Sequence, residues 1–262
     1  MQSDLIQHFE VNNKGKDFIV GDIHGHYDEL MNQLKRIHFN FENDRLFSVG
    51  DLVDRGEQNR EVLELLDENW FFAVRGNHEQ MISDRYEHPV NKPAWSNTVK
   101  TKQDAESTHV ANGGKWFDEL ETDEDRIHIY ESIKELPYVI TLNSGVQTLG
   151  IVHAEVPREF DHWSDFLSAV ETSKEVRHEI LYGRNEILGY FDYVSGEPVE
   201  DEYRQLPRLI KGIDMVIHGH TSTSIPVHGG NQLWIDTLSK SGALTILDVH
   251  ELRVLITQYN LP

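Results

Sequence analysis

Short apolar runs alternate with stretches of helical periodicity through the first third of the chain. Phe18-Ile19-Val20 has the composition of a short buried strand and stops at Gly21-Asp22-Ile23-His24-Gly25. Leu30, Met31, Leu34 and Ile37 then recur at helical spacing, which predicts an amphipathic helix over about 27–38. Residues 46–49 predict a second strand, running into Gly50-Asp51-Leu52-Val53-Asp54-Arg55-Gly56. Val62, Leu63, Leu65 and Leu66 mark another helix, and residues 70–74 a third strand that enters Arg75-Gly76-Asn77-His78-Glu79. This β-α-β-α-β-α order predicts strands joined by helical crossovers, hence an α/β fold.

The apolar signal weakens between 83 and 126, where Pro89 and Pro93 interrupt helices, so this stretch is expected to be a partly helical, cap-like insert. Its acidic end, 118–125, is expected to be a solvated face or the acid-rich first turn of a helix. Residues 138–142 and 148–152 predict paired strands turning at Gly145. An irregular stretch with scattered helix signals, 154–209, precedes a strand at 215–217 that ends in His218-Gly219-His220-Thr221. Residues 232–235, 243–249 and 252–258 are expected to be antiparallel strands. With no internal repeat and no linker, a single domain over 1–262 is the expected organisation.

Composition narrows the choice of function. Among 262 residues, 45 acidic side chains face 24 basic ones, for a net charge of −21. Such a chain is not expected to bind nucleic acid or an anionic membrane, so any anionic substrate must be held by local positive charge. The absence of cysteine removes disulfides, thiolate metal sites and a cysteine nucleophile. It also suits a reducing compartment. No basic-then-apolar leader and no long apolar run is visible, so the expected location is the cytoplasm.

Three successive strands end in glycine-containing loops that offer Asp22 and His24, then Asp51, then Asn77. Strand C-termini are where open α/β sheets bind ligands. Two later strands end in His153 and in His218 or His220. Oxygen donors and neutral imidazoles in this mixture suit a pair of divalent first-row ions, Mn²⁺ first, with Fe²⁺, Co²⁺ or Ni²⁺ also acceptable. Asp51, on the middle strand of the three, is assigned as the bridge. Two ions about 3.5–4 Å apart would activate a shared water for in-line attack on phosphorus. Arg55 and Arg75 add guanidinium forks that match phosphate oxygens.

The three motif segments resemble the signatures of the phosphoprotein phosphatase branch of the metallophosphoesterases. Asn112-Gly113-Gly114 with Trp116-Phe117, and Ile235-Asp236-Thr237, make the chain similar to the subgroup of bacteriophage lambda protein phosphatase and its bacterial relatives. The resemblance spans roughly 19–247. It implies a β-sandwich flanked by helices, with a dinuclear metal site at strand C-terminal loops. It implies Asp22, His24 and Asp51 as ligands of one ion, and Asp51, Asn77, His153 and His220 as ligands of the other, with His218 left as a neighbour or packing residue. It further implies His78 as the general acid, Asp54 as its orienting carboxylate, and Arg55, Arg75 and Arg184 as phosphate-binding groups. Glu155, where many relatives have glycine, places an acid beside His153-Ala154.

The activity implied is hydrolysis of phosphoserine and phosphothreonine in a phosphoprotein partner, extending to phosphotyrosine and aryl phosphates. The attack is expected to be direct, by a metal-bridging hydroxide. Symmetrical cleavage of diadenosine tetraphosphate and a non-catalytic phosphoprotein-binding module are the competing expectations. Trp95, Trp116 and Phe117 are expected to form a small satellite core of the insert, and His109, His128 and His162 to lie at the surface.

Overall fold

The structure, a computed structural model, describes residues 5–86, 101–189 and 208–252. Two sheets stack face to face. One holds β2 (Asp17–Val20), β3 (Arg45–Ser48), β4 (Phe71–Ala73) and β10 (Ile246–Asp248), in the order β10-β2-β3-β4. The other holds β1 (Ile6–Phe9), β5 (Val139–Asn143), β6 (Thr148–Val152), β7 (Met215–His218), β8 (Val227–Gly229) and β9 (Gln232–Trp234), in the order β1-β5-β6-β7-β9-β8.

Alternation along each strand builds the layers. Ile19, Phe47, Ile140, Leu149, Ile151, Met215 and Ile217 meet between the sheets. Their neighbours point outward to helices, because successive side chains leave a strand on opposite faces. Phe18, Val20 and Leu46 pack with Leu30 and Leu34 of α1 (Tyr27–Arg36), Val62 and Leu63 of α2 (Asn59–Glu64), and Ile129 and Ile133 of α6 (Asp123–Lys134). Val139, Val152 and Val216 pack with Trp163, Phe166 and Val170 of α7 (Trp163–Thr172) and with Ile180 of α8 (Lys174–Tyr182). The expected metallophosphoesterase-type β-sandwich flanked by helices is the fold observed.

β2, β3 and β4 are parallel, with β3 in the middle, so the loops that carry Asp22, Asp51 and Asn77 emerge along one edge. β5 and β6 form the expected antiparallel pair around Gly145. Other expectations need correction. β9 runs parallel to β7; its antiparallel partner is β8, a strand unread in the sequence. Residues 249–252 are helical, and the rest of the expected strand at 252–258 lies outside the described residues.

The insert is less of a separate cap than its composition suggested. α3 (Asn77–Tyr86) runs into it, and α4 (Lys102–Ala111) and α5 (Lys115–Asp118) follow; residues 87–100, with Pro89, Pro93 and Trp95, lie outside the described residues. Phe117 and Leu120 join the helix-side core. Asp123, Glu124 and Asp125 form the first turn of α6, capped by the Thr122 side chain, where acids complement the helix dipole.

Candidate metal centre

Asp51 lies between two groups of imidazoles. Its Oδ2 is 3.7 Å from His24 Nε2, and its Oδ1 is 3.3 Å from His153 Nε2. The donor atoms of His24, Asp51 and His78 lie within 4.8 Å of one another, and so do those of Asp51, His153 and His220. All of these residues are buried. One carboxylate thus faces both halves of the site, from the loop that follows the central strand.

The protonation states suit cations. His24 Nδ1 lies 2.8 Å from Val53 O and His153 Nδ1 lies 2.8 Å from Val49 O, so both neutral rings carry their proton there and turn the Nε2 lone pair inward. Burial holds the His24 pKa down to about 3 and lowers those of His153 and His220. His24 Nε2 is buried without a hydrogen-bond partner. Asn77 Oδ1 sits 3.0 Å from His153 Nε2 and 2.8 Å from His220 Nδ1. Oxygen and imidazole lone pairs that converge in this way, in rings whose protonation burial disfavours, are a donor set suited to divalent metal ions. Asp22 completes the group at one side, with both carboxylate oxygens accepting the His220 N–H, the nearer at 3.0 Å. Burial, then the charges of Asp236 and Asp51, push its pKa well up, a cost that a bound cation would relieve.

His78 is tuned the other way. Its Nδ1 is 2.6 Å from Asp54 Oδ2, and its backbone N–H donates to Asp51 Oδ1 at 3.0 Å. Burial opposes its protonation, but the Asp51 charge and the Asp54 bond outweigh it and raise the pKa. Two neighbouring imidazoles, His24 and His78, with rings 4.7 Å apart, are therefore driven toward opposite states. Such divergence is what a metal ligand and a proton donor side by side would require.

The arginines divide. Arg55, exposed, reaches His78 Nε2 at 3.2 Å, and Arg184, exposed, bonds Thr221 Oγ1 at 3.2 Å beside His220. Arg75 is buried, and its guanidinium is engaged by Gln80 Oε1 at 3.0 Å and by the carbonyls of Ile133 and Lys134 at the end of α6. The structure thus brings Arg55 and Arg184 to the rim of the ligand group and places Arg75 at a helix C-terminus.

Several contributors were not read from the sequence. Glu79, fully buried, accepts the backbone N–H groups of Asp51, Leu52 and Gly76. His109 and Trp116 of the insert both donate to Asp54 Oδ1, so the surface assignment of His109 is corrected, whereas His128 and His162 are exposed. Glu155 is also buried: it accepts the Glu186 N–H at 3.0 Å and packs on Gly183, and burial pushes its pKa up to about 7. Its carboxyl supports the segment that carries Arg184.

The backbone is strained where this chemistry sits. Among the described residues, six that are not glycine have positive φ, and His24, Asp51, Asp54, Arg55 and His220 are five of them.

Layering, strand-end loops and donor set together define a metallophosphoesterase whose converging donors could hold two metal ions. The chain belongs to the calcineurin-like phosphoesterase family, whose model matches residues 18–224. It is 31% identical to serine/threonine-protein phosphatase 2 of Salmonella typhimurium, over 90% of each chain. It is also 42% identical to the symmetrical bis(5'-nucleosyl)-tetraphosphatase of Aliivibrio fischeri, over 84% of this chain and 89% of that one. A serine/threonine phosphatase structure from Saccharomyces cerevisiae shares the fold at a TM-score of 0.54 and 16% identity, covering 95% of this chain and 78% of that one.

Proposed function

We propose that the chain is a metal-dependent serine/threonine protein phosphatase, hydrolysing phosphate monoesters in phosphoproteins. The observation that carries this reading is the Asp54–His78 pair set against Asp51. A serine or threonine alkoxide is a poor leaving group and needs a proton as the P–O bond breaks, whereas a nucleoside diphosphate leaves as a stable anion. His78 would supply that proton from Nε2 while Nδ1 stays bonded to Asp54.

Asp22, His24, Asp51, Asn77, His153 and His220 would hold two divalent ions, Mn²⁺ being our assignment. Bound there, the ions would lower the pKa of water and offset phosphate charge. Arg55 and Arg184 would grip the phosphate oxygens. Arg55 leaving His78 Nε2 for the phosphate would let that nitrogen take up the proton that it then donates, a step the raised His78 pKa favours. A water oxygen would bond to phosphorus and release a proton to solvent, the P–O electron pair would go to the leaving oxygen, that oxygen would take the His78 proton, and His78 would regain one from solvent. The cysteine-free composition fits work in the cytoplasm.

The second reading, symmetrical cleavage of diadenosine tetraphosphate, draws on the 42% identity to the Aliivibrio fischeri enzyme. Purified protein with Mn²⁺ should turn over a phosphoserine peptide with a higher kcat/KM than the dinucleotide. The reverse order would favour the second reading, and turnover of neither would overturn both.

A further inference from the structure

We infer that His109, delivered by the insert, is a positioning residue for proton donation by His78; this rests on the reading of His78 as the acid. Asp54 is a shared acceptor. Its Oδ2 takes His78 Nδ1–H at 2.6 Å, while its Oδ1 takes His109 Nε2–H at 3.0 Å and Trp116 Nε1–H at 2.7 Å. Asp54 and His109 are fully buried.

The direction of the His109 bond is fixed from behind. Arg85 Nη1 lies 3.2 Å from His109 Nδ1, and guanidinium can only donate, so Nδ1 accepts and the proton sits on Nε2, facing Asp54. The chain is Arg85 to His109 to Asp54 to His78. It joins α3, α4 and the loop after β3 through side chains alone.

The sequence around His109 is built for this contact. A Thr101–Asp104 capping box starts α4, and Gly114 follows its end. A Cβ at Gly114 would lie 2.1 Å from the His109 ring, so a larger residue there would expel the imidazole. Packing alone needs neither a donor aimed at a buried carboxylate nor a second donor, Trp116, on the same oxygen. Both oxygens of Asp54 are thereby occupied. The carboxylate cannot rotate away from His78, and three donors favour its charged form over proton transfer from Nδ1.

A positioning role and a purely structural one differ in leaving-group dependence. An alkyl phosphate needs the acid; p-nitrophenyl phosphate, with its acidic phenol, needs it far less. With Mn²⁺-loaded protein, His109→Phe keeps the bulk and removes the donor. It should lower the ratio of kcat/KM for a phosphoserine peptide to kcat/KM for p-nitrophenyl phosphate by about tenfold or more. His109→Gln, which keeps an N–H, should recover part of the ratio. Trp116→Phe, which leaves α4 intact, should lower the ratio in the same sense, and covers the case in which His109→Phe fails to fold. An unchanged ratio in these variants, with both rates falling together, would overturn the proposal. Wild-type protein inactive on both esters would instead overturn the phosphatase reading beneath it.

Discussion

The Glu79 carboxylate accepts the Asp51 N–H at 3.0 Å, tying a residue on α3 to the backbone of the carboxylate that faces both halves of the candidate metal site. Its bonds to Leu52 and Gly76 join the loop after β3 to the loop after β4. Burial, then the Asp51 charge, pushes its pKa up to about 7.

Glu79→Ala would leave three buried N–H groups unpaired, at about 1–3 kcal/mol each, and free Asp51 to move. The expected outcome is Mn²⁺ affinity reduced by about 10–100-fold, the usual effect of losing a group that orients a ligand. Calorimetric titration of metal-free protein measures it; wild-type affinity would refute this role.

Asp51→Asn and His78→Asn should separate metal binding from proton transfer. Each is expected to lower kcat by about 10²-fold or more. Only the Asp51 variant should also lose Mn²⁺ affinity. A His78→Asn enzyme with near-normal turnover on a phosphoserine peptide would remove the acid from the mechanism.

Gly183→Ala tests the support of Arg184. A Cβ there would come within 2.3 Å of Glu155 Oε1 and 2.4 Å of its Cγ, and Glu155 is pinned by the Glu186 N–H. The segment must shift, carrying Arg184 with it. Inhibition by inorganic phosphate should weaken by about tenfold, the value of one charge-assisted contact. Unaltered inhibition would show that Arg184 does not touch phosphate.

His218 sets a pH dependence of stability. It is buried against Trp234, its Nδ1 is 3.1 Å from Val152 O, and burial holds its pKa down to about 3. In the unfolded chain it titrates near 6.5, so below that pH the unfolded state binds the extra proton. The stabilisation is complete above about pH 6.5 and declines as pH falls toward 3, by at most about 1.4 kcal/mol per pH unit. Urea unfolding of metal-free wild type and His218→Asn at pH 7.5 and pH 5 should show a smaller loss in the variant.

The sandwich strands and the three motif loops could be read because their signals are local: alternation of two, a glycine break, then a donor. Helices α7 and α8 of the 154–209 stretch were underread although Trp163, Phe166, Leu167 and Val170 sit at helical spacing. The direction of β9 could not be read, since its parallel neighbour β7, with Val216 opposite Gln232, leaves no mark on a three-residue strand. His109 was missed for a related reason. On a largely polar helix it looks like a surface histidine, and only tertiary packing brings it to Asp54, 55 positions earlier. Gly114, which packs on the His109 ring, was the one nearby trace in the sequence.

The left-handed backbone at His24, Asp51, Asp54, Arg55 and His220 disfavours the closed loops by about 1–2 kcal/mol per residue. Bonds from these loops to bound metal would oppose that tendency, so a chain deprived of ions should open first at 24 and 51–55. Limited proteolysis should nick the metal-free protein there and spare the loaded form. Metal supply would then govern how long the molecule survives as well as whether it can act.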